Sequence, residues 1–61
     1  MKIPYSEQLK EVRREIALRR RVYPRWISEQ KMSQMAADRH IEIMEAVAET
    51  LVPLARSEEL L

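Results

Sequence analysis

The chain has 61 residues, with neither Cys nor Gly, and its 11 Lys/Arg nearly balance its 10 Asp/Glu for a formal net charge of +1. That length holds one small domain at most, without disulfides or thiolate metal sites to staple it. No apolar run approaches the roughly 20 residues of a membrane span, and Met1-Lys2-Ile3-Pro4 leads into polar sequence rather than a signal-peptide core, so a cytoplasmic protein is expected.

The near-neutral total hides an asymmetry. Residues 1–31 hold nine Lys/Arg and four Glu, net +5, while residues 32–61 hold two Arg against one Asp and five Glu, net −4. Opposite charge on two segments joined by a short turn favours their lying side by side, although each exposed pair contributes only about 0–1 kcal/mol.

Helix one is predicted over about 5–23. Ser6, followed by Glu7, is the candidate N-cap. Leu9, Val12 and Ile16, continuing to Tyr23 and Trp26, step by three and four, with Arg19 in the intervening slot. Ala17, Leu18 and Val22 widen the apolar arc on one flank. Glu11 to Arg14 and Glu15 to Arg19 have spacings that support a helix. Pro24 lacks an N–H and pushes against the Arg20 carbonyl, so a kink or stop is expected near Val22–Tyr23; alternatively Pro24 opens a short segment reaching about Glu29.

An aromatic and proline corner is predicted over 23–33. In the absence of glycine, the left-handed residue that often ends a helix falls to Gln30 or Lys31. Ser33 caps the next helix, with Met32 placed to staple onto Ala37.

Helix two is predicted over about 34–52. Ala37, Ile41, Met44, Ala48, Leu51 and Ala55 recur at steps of four and three, and Ile43, Val47 and Leu54 add a second stripe beside them. So wide an arc implies more than one neighbour. Pro53 is expected to bend or end the helix near Leu51, leaving 53–61 as a frayed tail. The fold expected for residues 1–61 is therefore all-α: a two-helix antiparallel hairpin. Because two helices meeting along one seam hide little surface, the hairpin is expected to dimerise into a four-helix bundle or coiled-coil-like assembly. The seam residues are Leu9, Val12, Ile16, Ile41, Met44, Ala48 and Leu51.

Chemistry is thinly represented. His40 lies among Asp38, Glu42 and Glu45 in sequence, but no second His or Cys gives it metal-ligand spacing, so a solvated or interface histidine is the reading. Ser6, Ser28, Ser33 and Ser57 have no recognisable base or nucleophile elbow, and a chain without glycine has no phosphate-cradling loop. No enzyme, cofactor, metal or small-molecule substrate is expected. Arg19-Arg20-Arg21 point about 100° apart on a helix and make no single basic face, which argues against a nucleic-acid partner. Tyr23, Arg25 and Trp26 combine the residue types favoured in binding hot spots and are the expected partner contact. Met1, Met32, Met35 and Met44 read as adaptable packing.

The pattern EVRREIALRRRVYPRW, a short polar turn, then MSQMAADRHIEIMEAV resembles a group of small proteins from Mu-like transposable phages and prophages, over about residues 9–48. In that group a basic first helix ends in a YP-aromatic corner, and a Ser/Thr cap opens an ADR-x-I-x-x-ME helix. The turn from Ser28 to Lys31 departs from it in having no glycine. The outline is also similar in shape to dimeric helical-hairpin phage proteins that bind host regulators. The resemblance implies a phage accessory protein in a bacterial cytoplasm, a homodimer acting by protein–protein contact on a host regulatory protein. Two other readings stand beside it: a dimeric nucleic-acid-binding regulator using Arg13, Arg14, Arg20 and Arg21 on phosphates, and a structural factor in virion assembly.

Overall fold

The computed structural model describes residues 2–60 and consists of two antiparallel helices, α1 (Tyr5–Ser28) and α2 (Gln34–Glu59), joined by a five-residue connection over 29–33. Met1 and Leu61, counted in the expected domain, lie outside the described residues, and with Met1 goes its expected packing role. No strand occurs among the described residues.

Pro4 precedes α1 with φ −57°, and its carbonyl accepts the Gln8 N–H at 3.1 Å. Ser6 is not the cap that the sequence places there. The N–H groups of Tyr5 and Ser6 donate instead to the two carboxylate oxygens of Glu58, at 2.8 and 2.9 Å. The first turn of α1 is thus capped from the last turn of α2.

Helix α1 ends in a Schellman-type pair of bonds. The Lys31 N–H donates to the Trp26 carbonyl at 2.9 Å, and the Gln30 N–H donates to the Ile27 carbonyl at 3.0 Å. Gln30 takes the left-handed conformation, φ 59°, that the glycine-free turn assigns to it or to Lys31. Ser33 then caps α2 as expected: its Oγ accepts the Ala36 N–H at 3.1 Å, and its carbonyl accepts the Ala37 N–H.

Two expected boundaries are corrected. Helix α1 does not stop at Tyr23, nor does a separate segment open at Pro24; it continues to Ser28, and α2 continues through Pro53 to Glu59 in place of a frayed tail. Both prolines are exposed, whereas Tyr23, Leu51 and Ala55 beside them are buried. Each ring therefore costs one helical hydrogen bond on the solvent side, while packing on the opposite side carries the helix through.

Leu9, Leu51 and Ala55 form the core cluster near the chain termini, with Tyr5, Val12, Ala48 and Val52 packed against it. Ile16, Tyr23 and Ala37 are buried further toward the turn, and Ile41 and Met44 are half-buried. No described side chain is wholly buried. The molecule is a rod of 47 × 18 × 17 Å with a Cα radius of gyration of 14.3 Å, against about 10.5 Å for a compact chain of this length. Its accessible surface is 5166 Å², about 1,000 Å² more than the scaling for compact monomers gives at 7.3 kDa. The two helices cover one face of each other and leave the rest exposed.

Candidate interaction surface

The hairpin has two long flanks, one on each side of the seam, and they differ in chemistry. On the first, Arg13, Ala17 and Arg20 of α1 face Glu45 and Glu49 of α2 across a shallow groove floored by Ile16 and Ala48. Arg20 Nη2 lies 3.1 Å from Glu45 Oε1, an ion pair between the helices. Toward the turn this flank continues past Pro24 and Ile27 on α1, with Asp38 and Glu42 on α2. Here the charge asymmetry of the sequence becomes spatial: the basic helix lays its arginines beside the acidic edge of α2.

The second flank is apolar toward the turn. Leu18, Val22, Tyr23 and Trp26 of α1 and Met32 of the connection line a groove with Glu15, Arg19 and His40 at its margin. The Tyr23 and Trp26 rings lie 5.7 Å apart, tilted by 38°, within the range of favourable aromatic pairs. Tyr23 is buried, its body part of the hairpin, while Trp26 is 41% exposed and presents its ring to solvent. Arg25 does not join them. It lies outside this groove, with Nε 3.9 Å from Glu29 on a strongly exposed side chain.

The cation in the groove is Arg19, whose Nε donates to Glu15 Oε1 at 2.9 Å. That hydrogen bond holds the guanidinium above its ordinary pKa; partial burial opposes the shift, and Tyr23 adds to it. In the sequence Arg19 interrupts the apolar seam, and its spacing of four from Glu15 gives the pair that the structure forms. Leu18, Val22, Met32 and His40 are the other groove residues that the Tyr23, Arg25 and Trp26 expectation leaves out.

Of the seam residues predicted from spacing, Leu9, Ile16 and Leu51 are buried and Val12, Ile41, Met44 and Ala48 half-buried, all between the two helices of one chain. What remains outside is the second stripe of α2. Ile43, Val47 and Leu54 are 46%, 40% and 38% exposed. A further shallow groove runs along it past Arg39, Ala46 and Thr50.

His40 is exposed and sits with Glu15 and Arg19, on the opposite side of α2 from the groove that Asp38, Glu42 and Glu45 line, so the acidic neighbours it has in sequence are not its neighbours in space. Among the described residues no group of three or more His, Cys, Asp or Glu is placed to hold a metal ion, and no helix is long and apolar enough to cross a membrane. No family model, curated protein or solved structure matches this chain.

Proposed function

We propose that this chain is a small interaction protein rather than an enzyme: a phage-type accessory factor that works as a dimer and modulates a host regulatory protein through the aromatic groove at its turn end. The observation that supports this most is the unsatisfied apolar surface. A single tryptophan stands open at the end of a groove lined by Leu18, Val22 and Met32, on a rod whose total surface exceeds that of a compact chain. An exposed Trp beside a partly buried Arg–Glu pair is the composition of a binding anchor.

The nucleic-acid reading fits the geometry less well. Arg13 and Arg20 face Glu45 and Glu49 across their groove, and Arg14 is held by Glu11, so three of the four arginines that would neutralise phosphates have carboxylates beside them. Capture from a bacterial lysate on the immobilised protein, with Trp26→Ala as the parallel bait, tests the proposal. A partner retained by the native chain and lost with the variant supports it. Identical captures, or a salt-sensitive gel shift with DNA or RNA, would transfer support to the alternatives.

A further inference from the structure

We infer that the exposed stripe of α2 is the seam of a symmetric homodimer in which two α2 helices pack antiparallel, with Val47 close to the twofold axis. This rests on the dimeric reading above and specifies which surface makes the dimer.

Three observations carry it. First, the surplus surface of about 1,000 Å² is close to the roughly 800 Å² that each partner contributes to a standard interface. A second copy therefore supplies an area of the size left uncovered.

Second, the stripe matches itself in length. Ile43, Val47, Thr50 and Leu54 follow steps of four, three and four along one edge of α2, and Val47 stands at the middle of the helix Gln34–Glu59. An antiparallel twofold axis between Val47 and Thr50, near the middle of α2, lays Ile43 of one copy against Leu54 of the other and Val47 against Thr50. Laying the same stripe along α1 of a second copy matches it less well. On this flank the apolar residues of α1 extend only from Leu18 to Trp26, and Glu15 and Glu11 take their place nearer the amino end.

Third, the one polar side chain inside the stripe is already satisfied. Thr50 Oγ1 donates to the Ala46 carbonyl of its own helix at 3.1 Å, so burying it against another helix strands no donor. Ala46 beside it is small enough for close approach. The arrangement leaves Trp26, on the other helix, outside the α2–α2 seam and free for a different partner.

The chain contains no cysteine, so a single Val47→Cys substitution reports the geometry directly. Helices packed at about 8–10 Å bring two residues that lie within half a turn of a twofold axis to about the Cα separation of 4.4–6.8 Å that a disulfide spans. Mild oxidation is expected to give a covalent dimer from Val47→Cys and none from Glu49→Cys, which lies on the charged flank. Sedimentation of the native chain at micromolar concentration is expected to give twice the monomer mass. Val47→Glu, at a position already partly open to water, is expected to keep its helical circular dichroism and raise the dimer dissociation constant on the order of 100-fold, since it buries an unpaired charge.

A monomeric native chain, cross-linking through Glu49→Cys in preference to Val47→Cys, or a dimer that Val47→Glu leaves intact would each overturn the inference. Should Val47→Glu fail to fold, the cysteine pair still decides. None of these outcomes depends on Trp26, so failure of the dimer seam and failure of the proposed partner groove register in separate experiments.

Discussion

Glu58, three residues from the end of the chain, holds the N–H of Tyr5 at 2.8 Å across a sequence separation of 53 residues. Its other oxygen holds the N–H of Ser6, so one carboxylate satisfies two of the free donors in the first turn of α1. The electrostatics favour the same arrangement. A negative charge is disfavoured at the end of its own helix, where carbonyls point outward, and favoured at the start of the other, where N–H groups do. The antiparallel hairpin brings those two ends together, so Glu58 both caps α1 and ties the termini. Glu58→Ala is expected to cost about 1–2 kcal/mol in urea unfolding, in the range of a lost charged cap, whereas Ser6→Ala should change little. Amide exchange at Tyr5 and Ser6 should quicken in the Glu58 variant while that at Leu51 changes only as global stability does.

Gln30 occupies the left-handed region at φ 59°, where a side chain beyond glycine is strained. The Schellman bonds of Gln30 and Lys31 require that conformation. Gln30→Gly should therefore stabilise the hairpin by about 0.5–1 kcal/mol, the relief of strain exceeding the added freedom of the unfolded chain. Thermal unfolding at matched protein concentration checks this, with Arg39→Gly, at an exposed position inside α2, as the comparison that should destabilise.

Which features were legible in the sequence follows from how far each one reaches along the chain. The seam was legible because Leu9, Ile16, Ala37 and Leu51 repeat with the period of the helix, and Ser33 because a cap acts three residues away. Glu58 was not, since nothing local marks a carboxylate that caps a helix 53 residues earlier. Arg25 sits between Tyr23 and Trp26 in sequence, yet the turn of the helix points neighbours apart, and it is Arg19 that reaches the groove. The prolines stop neither helix. Their intrinsic cost is real, but Pro24 and Pro53 both fall on the exposed side, where packing elsewhere on the helix outweighs one lost hydrogen bond.

With the helix already running through it and its ring exposed, Pro53→Ala restores a backbone donor without disturbing the core and should stabilise by about 1–2 kcal/mol in denaturant unfolding. Ala55→Pro, on the buried side of the same turn, should do the reverse and by more, because it displaces packing against Leu9. Equal effects from the two substitutions would remove the distinction between the sides.

Glu11 is fully exposed, and its hydrogen bond and charge contact with Arg14 hold its carboxyl below the ordinary carboxylate range. A carboxyl with a lowered folded-state pKa contributes stability at pH values above its unfolded value, and that contribution disappears as the pH falls through the folded value. Glu11→Gln should accordingly leave acid stability unchanged while slightly lowering stability at neutral pH. A carboxyl titration followed by NMR, with Arg14→Gln returning Glu11 toward its ordinary range, checks the cause as well as the direction.

Arg20 and Glu45 form the one ion pair between α1 and α2 among the described residues, at 3.1 Å with both side chains about half exposed. Exposure limits its strength. A double-mutant cycle with Arg20→Ala and Glu45→Ala should return a coupling of about 0.2–1 kcal/mol, shrinking as salt is added. Its larger effect is on register. Arg20→Glu sets a carboxylate on α1 against Glu45 and Glu49, which line the same groove, and should destabilise by more than the neutral variant does. Adding Glu45→Arg to Arg20→Glu should recover most of that loss, because the reversed pair fits the same antiparallel alignment; a double variant no better than Arg20→Glu alone would mean that the two helices do not meet at this position in solution.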